Sequence, residues 1–343
     1  MKYKLLGRSG LRVSELALGT MTFGEDWGWG ASREVSKKIF DHYVEAGGNF
    51  IDTACNYTEG TSERYVGEFA QSEREHLVLA TKYTLRGNEW SQSDPNFGGN
   101  ARKNMMQSVN ASLERLNTDY IDLFWLHMWD GTTPVDEVMR GLDDLVRMGK
   151  VHYIGISDTP AWVISQANAM AELRGWSRFV ATQLPYNFVS RDAEREIFPM
   201  ARALDLAVTP WGIIGGGVLT GKYNSDSSDP KRYEGTSEQA LKMAEAVLGI
   251  ATEIDRSPAQ VAINWVRQQK HKANIIPIIG ARTEDQITDN LKCLEFELSA
   301  GHLQKLDELS DFDPGFPTTF LSSENVRKLI FGDTFELIHN HHA

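Results

Sequence analysis

Apolar positions along this chain gather into short, β-branched runs that recur at roughly regular intervals. They cover residues 16–19, 49–53, 77–82, 121–127, 151–157, 180–184, 207–211 and 274–279. Several are apolar with little alternation, the pattern of strands covered on both faces. Between them lie stretches with helical spacing at 32–46, 62–71, 101–116, 135–148, 161–173, 193–204, 237–254, 258–269 and 283–292. Ser32 is placed to cap the first of these, and Gly47-Gly48 follow its end. Ser257-Pro258 is a cap followed by a favoured first helical residue.

Strands alternating with helices imply parallel strands and right-handed crossovers. Eight such units predict an α/β protein with a closed (β/α)8 barrel of the TIM type, spanning residues 1–343 as a single domain. Residues 1–14, with the turn Gly7-Arg8-Ser9-Gly10, predict a hairpin ahead of the barrel. Residues 299–343 form a C-terminal extension with one helix at 301–309 and an irregular end. An open doubly wound sheet would need a glycine fingerprint after its first strand, and Leu18-Gly19-Thr20-Met21 does not supply it. The polar, glycine-containing segments 86–100 and 212–235 are expected as extended βα loops, where function concentrates on a barrel.

Composition narrows the function. Hydrophobic residues at 41% and charged residues at 24% are ordinary for a folded globular chain. The net charge of −12 disfavours nucleic acid and anionic membrane surfaces as partners. No apolar run is long enough to span a membrane, and residues 1–9 lack a signal core. Cys55 and Cys293 alone support neither a disulfide framework nor a cysteine-rich zinc site. Together these features predict a cytoplasmic protein.

On a barrel, reactive groups belong at the C-terminal ends of the strands. Asp52 ends the second run, and Tyr57 follows it in the loop. Lys82 ends the third and His127 the fourth. A lone aspartate after a strand is usually a cap, a lone lysine there is usually solvated, and a lone histidine is usually packed. Ionisable groups on three adjacent strand ends converge once the barrel closes.

This constellation resembles the aldo-keto reductase superfamily over nearly the whole chain. The motifs that carry the resemblance are Leu18-Gly19-Thr20-Met21-Thr22-Phe23-Gly24, Asp52-Thr53-Ala54-x-x-Tyr57, Ser62-Glu63-x-x-x-Gly67 and Thr81-Lys82. They continue as Asp119-Tyr120-Ile121-Asp122-Leu123 through His127, Gly155-Ile156-Ser157, Gln183-x-x-Tyr186-Asn187 and Gly217-x-Leu219-x-Gly221-Lys222-Tyr223. Asp158-Thr159-Pro160-Ala161-Trp162 and Asp94-Pro95-Asn96 are similar to the aryl-alcohol-dehydrogenase-like branch. The resemblance implies reversible reduction of an aldehyde or ketone to the alcohol, with hydride from a nicotinamide. Tyr57 is then the proton donor, Lys82 its cationic neighbour, Asp52 the holder of Lys82, and His127 the group that orients the carbonyl. An ammonium ~4 Å from the phenol, at an effective dielectric of ~20, favours phenolate by about 4 kcal/mol. That is roughly 3 pKa units, less whatever burial takes back, so a lowered tyrosine pKa is expected.

The same resemblance assigns cofactor contacts. Gly19, Thr20, Met21 and Asp52 line the floor, while Ser157, Asp158 and Gln183 meet the carboxamide. Asp158 stands where many family members have asparagine, and an ionised aspartate accepts but cannot donate. Trp211 occupies the place of the aromatic that stacks on the nicotinamide. Gly212, Gly217, Leu219, Gly221 and Lys222 belong to the loop that approaches the pyrophosphate. From Gly216 that loop also fits the nucleotide-triphosphatase pattern, but Tyr223 stands where a magnesium-binding Ser or Thr is required. Gly280, Arg282, Gln286 and Asn290 grip the adenosine end. Arg282 suits a 2′-phosphate, because a cation at a helix N-terminus gains nothing from the helix dipole. NADP(H) is therefore expected, with no metal.

Trp27, Trp29, Trp90 and Trp129 fall in predicted βα loops, with Met21 nearby, and beside Tyr57 and His127 as site residues they suit an aromatic, alicyclic or sugar-like carbonyl substrate. Two other readings compete. One is a cofactor-binding regulatory subunit resembling potassium-channel β-subunits. The other is a barrel hydrolase with Asp52 and His127 as metal ligands. Cys55 reads as a packed small residue, and the terminal His339-Asn340-His341-His342 as a tail without chemistry.

Overall fold

A computed structural model describes residues 1–86, 93–223, 236–310 and 312–339. Strands β1 (Tyr3–Leu5) and β2 (Arg12–Ser14) pair antiparallel as the expected hairpin. The barrel strands are β3 (Ala17–Gly19), β4 (Phe50–Asp52), β5 (Val78–Tyr83), β6 (Ile121–Leu126), β7 (Val151–Ser157), β8 (Phe179–Pro185), β9 (Ala207–Trp211), β10 (Asn274–Ile275) and β11 (Ile278–Ile279). All neighbours from β3 to β9 pair in parallel and in chain order. The eighth predicted run is split. β10 pairs with β9 and β11 pairs with β3, so one short segment joins both edges and closes the barrel. Pro277 sits at the split and has no N–H for a ladder, while its carbonyl accepts Ala17 N–H at 2.9 Å.

Side-chain direction alternates along a strand. One face of β5 therefore carries Val78, Ala80 and Lys82, and one face of β6 carries Leu123, Trp125 and, just past its end, His127. Phe50, Val78, Ala80, Leu123, Trp125, Ala181 and Ala207 form an inner cluster with Leu6 and Val13 of the hairpin. The hairpin thus plugs the N-terminal end of the barrel. Gly7 allows this approach, because its φ is +53° and a Cβ there would lie 2.1 Å from the Val180 carbonyl oxygen. Trp125 fills the interior against Gly155, where an added Cβ would stand 2.3 Å from the indole ring. The opposite faces, with Ile51, Leu79, Phe124, Leu126, Ile154, Ile156 and Val208, belong to the larger outer cluster packed under the helices.

The helices are α1 (Arg33–Glu45), α2 (Thr61–Ala70), α3 (Arg102–Leu116), α4 (Val135–Arg147), α5 (Ala161–Arg174), α6 (Ile197–Ala203), α7 (Glu238–Glu253), α8 (Pro258–Arg267), α9 (Glu284–Leu291) and α10 (Ala300–Leu309). Ser32, Ser237, Ser257, Thr283 and Ser299 cap theirs through the side-chain oxygen. The helix expected at 193–204 is broken into a short 3-10 turn at Asp192–Glu194 and α6. Pro199 lacks the N–H that a helix begun at 193 would need there, so α6 starts two residues before it. The end of the chain is not irregular as expected. It holds α11 (Thr318–Leu321) and α12 (Glu324–Phe331), the latter capped by Ser323. These helices are almost wholly exposed, so no burial period marks them in the sequence. No helix among the described residues is long and apolar enough to cross a membrane.

Candidate active site

The upper layer of the barrel interior is polar where the lower layers are apolar. Asp52, Lys82 and His127 occupy it and are 2%, 0% and 9% exposed. Lys82 Nζ donates to Asp52 Oδ2 at 2.5 Å, to the Thr53 carbonyl at 2.8 Å and to Tyr57 Oη at 3.3 Å. All three ammonium hydrogens are thereby aimed, one of them at the phenol. The other carboxylate oxygen of Asp52 accepts from Gln183 Nε2 at 3.1 Å. Asp52 is thus held by two side chains, and among the described residues no group of three or more His, Cys, Asp or Glu is gathered that could hold a metal ion. Gln183, expected at the nicotinamide carboxamide, thus also braces Asp52.

Tyr57 opens a tight turn, Tyr57–Gly60, in which Thr58 and Glu59 have φ of 44° and 56°. A β-branched residue rarely adopts that conformation. Hydrogen bonds impose it, since Thr58 Oγ1 donates to the Phe23 carbonyl and accepts from Ser62 N–H. The turn is tied to β5 below it. Glu63 is fully buried and takes hydrogen bonds from Thr81 Oγ1 at 2.5 Å and Arg115 Nε at 2.6 Å. No sequence signal marked Glu63 and Arg115 as partners, because they are 52 positions apart. The Tyr57 ring meets the His127 ring edge-on at 6.0 Å and Trp27 at 6.5 Å.

Burial is the largest influence on the Tyr57 phenol and pushes its pKa up; Lys82 pulls it down, and burial prevails. The lowering expected from Lys82 is therefore overturned by burial. The charge of Lys82 is shared with Asp52. Burial likewise opposes the Lys82 charge, but Asp52 and Tyr57 more than offset it, so its pKa is raised. His127 is held well below its ordinary value of 6.5, first by burial and then by Lys82. Its imidazole is neutral at physiological pH.

Around the tetrad, His127 Nδ1, Ser157 Oγ and Asp158 Oδ1 are buried without a protein partner among the described residues. Unpaired buried polar atoms are costly, and a ligand with donors and acceptors would satisfy them. Thr20 is buried beneath, its hydroxyl donating to the Asp52 carbonyl at 3.1 Å, with Gly19 and the half-buried Met21 beside it. Trp211 is 41% exposed at the end of β9. Past it, Gly212, Gly215, Gly216, Gly217 and Gly221 all have positive φ. Leu219 is fully buried in the outer core, and the Lys222 side chain folds over Gly217, 2.6 Å from where a Cβ would be. Such a glycine-rich turn bares its backbone to an anion.

At the end of β11, Gly280 lies against Gly19, and its carbonyl accepts from buried Asn290 at 3.1 Å. Gln286 accepts from Arg282 N–H at 2.8 Å. Both amides therefore brace the turn that presents Arg282. Trp27 and Trp29 pack together with ring centroids 5.6 Å apart, Trp29 being 40% exposed. Trp129 is half buried against the outer core. Trp90 and the end of the histidine tail lie outside the described residues. Cys55 is packed, as expected, and burial pushes its thiol up to about 12.

Comparison with known proteins agrees with this architecture. The model of the Aldo/keto reductase family matches residues 15–311. A norsolorinic acid reductase of Emericella nidulans is 41% identical, over 93% of this chain and 84% of its own length. Norsolorinic acid reductase B of Aspergillus parasiticus is 39% identical, over 91% of this chain and 85% of its own. An aryl-alcohol dehydrogenase [NADP(+)] of Phanerodontia chrysosporium is 37% identical, over 96% of this chain and 89% of its own. The polar upper layer of a closed parallel barrel and a match that runs over most of the chain lead to one conclusion: the chain is an oxidoreductase that belongs to the aldo/keto reductase family.

Proposed function

We propose that the protein reduces an aryl aldehyde or aromatic ketone to its alcohol with NADPH, and runs the reverse oxidation on the same site. The observation that carries this reading is Lys82 Nζ held between Asp52 Oδ2 at 2.5 Å and Tyr57 Oη at 3.3 Å. The nicotinamide supplies the hydride when bound. The chain's own residues handle the proton. Tyr57, protonated because burial keeps its pKa high, gives its hydrogen to the new alkoxide. Lys82 then faces the phenolate and stabilises it, and Asp52 keeps the ammonium charged and aimed. Neutral His127 donates to the carbonyl oxygen and sets its orientation. Trp27 walls Tyr57 with an aromatic edge, which suits a flat substrate.

Three observations support the cofactor. The unpaired atoms of Ser157 and Asp158 suit the nicotinamide carboxamide. The positive-φ glycines suit the pyrophosphate. Arg282, braced by Gln286, suits a 2′-phosphate through its forked donors. A relative whose name carries NADP(+) supports the same choice. The test is NADPH consumption by the purified protein with a panel of substituted benzaldehydes. Aldehyde-dependent consumption, much slower with NADH, is expected. Protein that binds NADPH yet turns over no carbonyl would sink the proposal.

A further inference from the structure

Asp158 follows β7 in a left-handed backbone conformation, φ +41°. Aspartate and asparagine tolerate that region better than other non-glycine residues. Of the two, this chain carries the one with a charge. Its Oδ1 is buried and has no protein partner among the described residues. Burial holds its pKa up against the Trp211 indole, the charge of Lys82 and the Ser157 hydroxyl, which pull it back. The positive charge of Lys82 is already paired with Asp52, so the groups left to Asp158 are neutral, the Trp211 indole and the Ser157 hydroxyl. Trp211 itself turns 41% of its surface outward at the end of β9. An open aromatic face beside an under-compensated carboxylate attracts a flat cation.

We infer that Asp158 sets the redox-state preference of the nicotinamide site, favouring the cationic pyridinium of NADP+ over the neutral dihydropyridine of NADPH. The inference rests on the nicotinamide reading proposed above. The two nucleotides share every phosphate and the whole adenosine end, so the ring charge is the difference that a carboxylate senses. After carbonyl reduction, Asp158 holds the oxidised nucleotide in the site. In the reverse direction it favours the form that alcohol oxidation requires.

The experiment is calorimetric titration of wild-type protein and Asp158→Asn with NADP+, with NADPH, and with an adenosine bisphosphate lacking the nicotinamide. Asparagine keeps the shape and the tolerance of φ +41° and removes the charge. The expected result is NADP+ binding weakened about tenfold, which is about 1.4 kcal/mol. NADPH shares the carboxamide contact and should weaken far less than NADP+, while the adenosine bisphosphate should stay within about twofold of wild type, which also shows the variant to be folded. An unchanged ratio of NADP+ to NADPH affinity overturns the inference and leaves the reductase reading intact. Equal weakening of the adenosine bisphosphate places the effect away from the nicotinamide and overturns it too. Wild-type protein that binds neither nucleotide overturns both readings.

Discussion

The two ends of the barrel interior are built from the same strands and obey opposite rules. At the lower end, Phe50, Val78, Leu123, Trp125 and Ala207 meet the hairpin residues Leu6 and Val13 in a dry, apolar plug. Further along the same faces stand Asp52, Lys82 and His127, together with Gln183 and Ser157. The lower end gains from removing apolar area from water. The upper end buries a full ion pair and leaves His127 Nδ1, Ser157 Oγ and Asp158 Oδ1 unpaired among the described residues. Buried pairs of this kind are weak contributors to stability, so the upper layer is explained by chemistry and the lower one by packing. Substitutions should therefore separate cleanly into those that stop turnover and those that unfold.

The sharpest test of that division is Tyr57→Phe. It should lower kcat with an aryl aldehyde by roughly 10²- to 10⁴-fold, the usual worth of a positioned acid, with thermal unfolding unchanged. Turnover near wild type would break the assignment of the upper layer to chemistry. Lys82→Met strips the partner from buried Asp52 and should cost about 3–5 kcal/mol of stability as well as activity. Adding Asp52→Asn should restore part of the stability, read by denaturant unfolding, and none of the turnover. At the lower end, Trp125→Ala should cost about 3–5 kcal/mol through the cavity it leaves, while the folded fraction keeps its affinity for nucleotide.

Gly155→Ala pushes a methyl into the Trp125 indole and should cost about 1–3 kcal/mol. A smaller side chain at position 125 should absorb it in a double-mutant cycle. The smallest effect expected is electrostatic and belongs to the upper loops. Burial favours the neutral form of Asp130, but backbone N–H groups of Asn100, Thr133 and Thr132 outweigh it and hold the carboxyl at about 2. A depressed acid contributes above its ordinary pKa of 3.8 and loses that contribution as pH falls toward about 2. Acid unfolding of Asp130→Asn should lack this component, worth at most about 1 kcal/mol after solvent screening.

Alternation, caps and strand ends were legible before any coordinates. Ser32, Ser257 and Thr283 cap where their residue type and position place them, because capping is local hydrogen bonding. Asp52, Lys82 and His127 were legible because strand parity and barrel closure leave them one place to meet. The break before α6 was readable in principle from Pro199. The last two helices were not, since exposed helices carry no burial period.

By itself the sequence determined the eight-fold alternation, the family and the identity of the groups that converge, for these rest on period and motif. Tertiary structure alone decided that one short segment joins both barrel edges, that Gln183 donates to Asp52 across 131 positions, and that Glu63 pairs with Arg115. It also decided the sign of the shift at Tyr57, where desolvation outweighs the neighbouring cation. Hydrogen bonding and desolvation depend on distances through space and on the exclusion of water, and neither is written in the spacing of residues along a chain.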